Sequence, residues 1–272
     1  MIFTPLALGF YSDPNSEIHF VDAVSSVLQK HKGGLVGEAA LITGGAKRIG
    51  KAVVLALAQK GFDIALHCRN SEKEALQLAK QVSRMDRECE IFVCDLLHPG
   101  AISGLMDAVF QRFPRLRVLI HNASIFERGA FLETDETLFD RQMGIHLRVP
   151  FFLVQTFAKV TKKGVVITLC DTKIVKPFVS HFAYALSKTA LWDFTRMAAV
   201  ALAPSIRVNA VAPGLILPSA ESTTQDLLRM AKRVPLAKKG KVENVVSAVL
   251  FLLENEYITG ECIFVDGGQH LV

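Results

Sequence analysis

From about residue 38 the chain alternates between short apolar runs and longer stretches whose apolar positions recur at helical spacing. The runs are AALIT (39–43), FDIALH (62–67), EIFVC (90–94), RVLIH (117–121), GVVITLC (164–170), IRVNAVA (206–212) and CIFVD (262–266). They are rich in β-branched residues and apolar on consecutive positions, which suits strands buried on both faces. Seven such strands joined by helical crossovers predict an α/β fold with a parallel sheet covered on both sides. Right-handed crossovers make that sheet doubly wound, a single domain over 38–272.

The first 37 residues stand apart from this rhythm. DPNSEIHFVDAVSSVLQKHKGG reads as a helix, with Asp13 as cap, Pro14 at the first position and an apolar face of Ile18, Val21, Val24 and Leu28. Lys30, His31 and Lys32 suit its C-terminal end, and Gly33-Gly34 stops it. The expectation is a helical appendage at 1–37. It either docks on the domain's surface or serves as a lid or oligomer contact.

Composition narrows the class without adding to the fold. Half of the 272 residues are hydrophobic, enough for a sizeable core. The formal net charge of +5 is not gathered into runs, and no aromatic-basic stripe appears, which argues against nucleic acid and for a small anionic ligand. Five scattered cysteines, none in CxxC spacing, read as reduced thiols rather than a metal site. No run reaches membrane-spanning length, and the N-terminus lacks a basic n-region, so the expected location is the cytoplasm.

The chemistry begins in ALITGGAKRIGKAVVLALAQKG, a strand, a tight loop and a helix. Gly44, Gly45 and Gly50 let the backbone approach a ligand, and a helix starting near Ile49 offers free N–H groups to a pyrophosphate. The second strand ends in LHCRNSEKEA, where an acid would hold the ribose hydroxyl of NADH. Arg69 stands there, followed by Asn70 and Ser71, with Lys47 and Arg48 in the nearby loop. Guanidinium groups pair with a phosphate dianion, so this arrangement predicts NADPH. Asp95, in CDL, is placed to accept from an adenine amine. Asn122, in HNAS, either ties strands together or lines the cofactor cleft.

Tyr184 and Lys188 lie at i, i+4 and share one helix face. A free tyrosine has a pKa near ~10, and a neighbouring ammonium is expected to lower it, making a usable proton donor. Asp171 lies thirteen positions before Tyr184.

These pieces together (TGGAKRIG, CDL, HNAS, YALSK, RVNAVAPG and YITGECIFVDGG) resemble the short-chain dehydrogenase/reductase family in order and spacing, over roughly residues 38–272. The resemblance implies a Rossmann-type sheet, an NADPH-dependent reductase and assembly as a homotetramer or homodimer through the helix carrying YxxxK. It implies cofactor contacts from Gly44, Lys47, Arg48, Ile49, Arg69, Asn70, Ser71, Asp95, Leu96, Asn122, Ala123, Ser124, Tyr184, Lys188, Pro213 and Gly214. Three departures sharpen it: Arg48 replaces the usual middle glycine, Asp171 the usual catalytic serine, and His146 the usual relay asparagine. The first two, with HNASIF, look like the pteridine reductase branch, and His146 is similar to bacterial dihydromonapterin reductases. That branch implies catalysis by Asp171, Tyr184, Lys188 and His146. Its substrate contacts would come from Arg48, Phe126, Asp171 and Tyr184, with the variable segment 215–233 as substrate loop. A carboxylate cannot donate a hydrogen bond unless protonated, so Asp171 suits a ring with N–H donors or a nitrogen needing a proton better than a ketone. The competing expectations are a carbonyl or 3-oxoacyl reductase of the same fold and a catalytically silent NADPH-binding regulator.

Overall fold

The computed structural model describes residues 37–219 and 223–272. The helix expected within 1–37 lies outside the described residues, apart from Gly37. From Gly37 to Val272 the chain forms one compact unit.

Seven strands form one parallel sheet: β1 (Ala39–Ile42), β2 (Asp63–Cys68), β3 (Cys89–Val93), β4 (Leu116–His121), β5 (Gly164–Leu169), β6 (Ile206–Pro213) and β7 (Cys262–Val265). Their order is β3-β2-β1-β4-β5-β6-β7. Each apolar run of the sequence corresponds to one of them, within a residue or two at either end. The central strands are buried along their whole length, as continuous apolar runs require, whereas the edge strand β3 is only partly covered.

The helices are α1 (Arg48–Gln59), α2 (Glu72–Ser83), α3 (Ala101–Arg112), α4 (Glu136–Met143), α5 (Val149–Val160), α6 (Phe182–Leu202), α7 (Thr224–Ala231) and α8 (Val242–Glu254). One face of the sheet is sealed by α3, α5 and α6, whose Met106, Val109, Leu153, Phe157 and Ala199 meet Leu41, Leu119 and Val166 of the strands. Against the rest of the sheet lie α1, α2 and α8, through buried Val54, Leu57, Leu78, Val249 and Leu252. No helix among the described residues is long and apolar enough to cross a membrane.

The strand order reverses between β1 and β4. Crossovers leave in opposite directions there and open a crevice at the carboxyl ends of the strands, where ligands of such sheets bind. The long helix α6 buries Tyr184, Ser187 and Lys188 on one face. Along α6, the apolar positions at helical spacing face inward: Leu191 and Ala198 are buried, and Phe194 and Leu202 pack against the protein's own core. The apolar residues that α6 leaves outside are others: Leu186, Met197 and Val200.

Candidate active site

The loop from β1 to α1 is built for close approach. Gly44 has φ +60°, and a Cβ there would sit 3.0 Å from the Ala123 backbone. A Cβ at Gly50 would meet the Gly44 carbonyl at 2.6 Å. No side chain caps the first turn of α1, so its N–H groups face outward as an anion site. Asn122 ties the end of β4 to the glycine loop. Its amide donates to the carbonyls of Thr43 (3.0 Å) and Gly44 (2.9 Å), while the Thr43 hydroxyl accepts from the N–H groups of Asn122 and Ala123.

Beside this loop lies a cleft of about 240 Å³ that brings together Gly44, Lys47, Arg69, Asn70, Ser71, Asp95, Leu96, Ala123 and Ser124. His67, Cys68, Cys94 and Leu97 also line it, and the sequence analysis did not single them out. The Arg69 guanidinium lies 3.7 Å from Asp95, and the Lys47 ammonium 2.8 Å from Glu74. All four side chains are about half exposed, so these pairs are weak and exchangeable for a phosphate. The glycine cradle, the uncapped helix end and the two cations fit a dinucleotide with a phosphorylated ribose.

Arg48 does not join Arg69; its guanidinium donates to the Pro218 carbonyl at 2.8 Å, toward the segment expected to hold substrate. At φ +55° it occupies a left-handed position where the family more often has glycine, which turns its side chain to that partner. Ile49 lies in the first turn of α1, among the backbone N–H groups of that anion site.

At the other end, Asp171 follows β5 and caps the 3-10 turn Thr172–Val175, where its Oδ1 accepts the Lys173 N–H at 2.9 Å. Its Oδ2 accepts the Tyr184 hydroxyl at 2.7 Å. The Lys173 ammonium lies 3.6 Å from Oδ1 and 4.3 Å above the Phe178 ring. Lys188 donates to the Leu169 carbonyl at 2.7 Å and sits 5.8 Å from the centre of the Tyr184 ring. The expected lowering of the tyrosine pKa does not occur. Burial, then the charge and hydrogen bond of Asp171, raise it well above its ordinary value. Tyr184 therefore holds its proton and presents it to a carboxylate. Burial lowers Lys188.

His146 lies in a π-helical turn, Gly144–Arg148, between α4 and α5, a distortion frequent at functional sites. Ser187 spends its hydroxyl proton on the Tyr184 carbonyl (2.8 Å), so His146 Nδ1–H donates to Ser187 Oγ (2.9 Å). Nε2 then accepts from Ser124 Oγ at 2.7 Å. Burial and then the Lys188 charge keep the ring well below the usual histidine range, hence neutral. Ser187, three residues after Tyr184, was legible as sharing its helix face but carried no signal of its own.

Phe126 stands edge-on to Tyr184, with ring centres 4.8 Å apart, and stacks on His181 at 4.1 Å. His181 in turn stacks on Phe178 at 4.9 Å. Pro213 closes β6 and Gly214 follows it, and a Cβ at Gly214 would strike Asp266 at 2.6 Å. Asp266 accepts from the N–H groups of Gly268 and His270, which fixes the C-terminal turn Gln269–Leu271 against the turn that follows Asp171.

Residues 44–270 match a family model described as enoyl-(acyl carrier protein) reductase. The chain belongs to the short-chain dehydrogenase/reductase family. As a member it is an NAD(P)-dependent oxidoreductase. This reductase is 31% identical to pteridine reductase 1 of Leishmania tarentolae, over 85% of the chain and 96% of the relative. It is also 31% identical to the 3-oxoacyl-[acyl-carrier-protein] reductase FabG of Thermotoga maritima, over 86% and 98%. Among solved structures it resembles FolM alternative dihydrofolate reductase 1 from Brucella suis in complex with NADP. That likeness has 37% identity and a TM-score of 0.84, covering 88% of this chain and 97% of that one.

Proposed function

We propose that this reductase uses NADPH to convert a dihydropteridine, of the dihydromonapterin or dihydrobiopterin type, to its tetrahydro form. The observation that carries the reading is the 2.7 Å hydrogen bond from Tyr184 to Asp171, where the family usually has serine. A ketone reductase needs donors around the developing alkoxide, and a carboxylate there repels it. A ring C=N needs a proton at nitrogen, and the ring's N–H groups need acceptors. When bound, the nicotinamide supplies a hydride to the ring carbon beside that nitrogen. The Asp171–Tyr184 pair holds the phenolic proton that the nitrogen takes up, and Asp171 accepts from the ring's N–H groups. Phe126, edge-on to Tyr184, offers a flat apolar wall to the pterin. Arg69 and Lys47 would hold the 2′-phosphate of NADPH, and the likeness to an NADP-bound FolM structure supports that choice.

The competing reading, a carbonyl or 3-oxoacyl reductase, is supported by the equal identity to FabG. On either reading we expect a homotetramer or homodimer. The unpaired cysteines suit a reducing compartment such as the cytoplasm.

The deciding assay is NADPH oxidation with dihydropterins and dihydrofolate set against a panel of ketones. Dihydropterin turnover is expected, and Asp171→Asn should cut it by ~10²- to 10⁴-fold while NADPH affinity is kept. Turnover of ketones alone, or full pterin turnover by Asp171→Asn, would refute the reading.

A further inference from the structure

His67 is the penultimate residue of β2 and is 3% exposed. Its Nδ1 accepts the Gly44 N–H at 3.2 Å, and its Nε2–H donates to the Cys94 carbonyl at 3.1 Å. Its own carbonyl accepts the Gly45 N–H at 3.0 Å. One residue thus ties the glycine loop to the ends of β2 and β3. The carbonyl of Gly44 is held from the opposite side by the Asn122 amide at 2.9 Å. The Gly44 residue, at φ +60° and with no room for a side chain, is therefore clamped at both its donor and its acceptor.

We infer that His67 is a positioning residue of the dinucleotide site, setting the glycine loop in the conformation that receives the pyrophosphate. The tautomer is dictated: a carbonyl can only accept, so Nε2 carries the proton and Nδ1 is free to receive Gly44. Burial lowers the pKa of the ring, which keeps it in that neutral form. From Ile64 to Cys68 the strand is buried and otherwise apolar, a stretch with no other need for an imidazole. The inference rests on the family's NAD(P) cofactor and not on the pterin reading, so it stands or falls separately.

The test is cofactor affinity, measured by fluorescence or calorimetry without substrate, on folded protein checked by circular dichroism and melting. Removing an acceptor from a buried N–H makes His67→Leu bind NADPH about tenfold more weakly. NADH should weaken by the same factor, because the pyrophosphate is common to both. His67→Asn places an amide oxygen where Nδ1 was and should recover most of the affinity, whereas His67→Gln should not. Unchanged affinity in His67→Leu overturns the inference. A loss confined to NADPH also overturns it, by assigning His67 to the 2′-phosphate. If His67→Leu does not fold, the comparison of Asn with Gln decides: equal affinities count against the role, and tighter binding by Asn supports it.

Discussion

At the scale of single residues, the site is a set of polar groups whose partners decide their chemistry. Arg69 and Arg48 look equivalent as charges, yet one lines the cofactor cleft and the other reaches Pro218. Arg69→Ala should therefore raise the NADPH Michaelis constant about tenfold or more and leave NADH nearly unaffected, since a charge-assisted phosphate contact is worth roughly 1.5–3 kcal/mol. Steady-state kinetics with both cofactors checks this, and equal losses would contradict it. Lys173 supplies a second case. Its ammonium and its backbone N–H both address Asp171 Oδ1, which leaves Oδ2 to Tyr184. Lys173→Met should lower kcat several-fold with little change in the cofactor Michaelis constant, and Lys173→Arg should restore part of it. In an Asp171→Asn background the same change should do almost nothing, as the coupling between the two then has no carboxylate to act on. Additive losses would show that Lys173 acts elsewhere.

At the scale of elements, β-branched runs and amphipathic periodicity located all seven strands, the central ones most plainly, because a strand buried on both faces must be apolar throughout. Helix α6 was legible as a helix but not in its facing. The stripe through Leu191 and Ala198 serves the core, while Met197 and Val200 are 72% and 82% exposed. Phe151 and Phe152 of α5 are exposed as well. Large apolar side chains so exposed on two neighbouring helices fit burial against a second copy. Met197→Lys combined with Val200→Lys should shift the protein toward monomer in light scattering at micromolar concentration, with the melting temperature reduced. An unmodified protein that is already monomeric would contradict this.

At the scale of the whole molecule, burial lowers the pKa of three histidines among the described residues and keeps them neutral: His67, His121 and His146. Burial depresses each of them, His121 to about 3. In the unfolded chain each titrates near ~6.5, so below that pH the unfolded state binds more protons than the folded one. The stability they contribute is complete above about 6.5 and is lost as pH falls toward their folded values. The steepest slope is about 1.4 kcal/mol per pH unit for each histidine. Thermal melts without cofactor should show the melting temperature dropping between about pH 6.5 and 5, before most carboxylates titrate. A flat profile in that window would show the three rings to be accessible.

The amino-acid order by itself determined the sheet, the glycine loop, and the presence of Asp171, Tyr184 and Lys188. Each rests on local periodicity or on spacing within one element. It did not determine which charge faces which. Lys188 is four residues from Tyr184 yet donates to Leu169, while Asp171, thirteen residues away, takes the phenol. His67 and Gly44 meet only because β1 and β2 pair in the register Ala39 to Asp63. Hydrogen bonds and pKa shifts depend on distance and burial, and both are set by how the strands and helices pack, which no local pattern encodes.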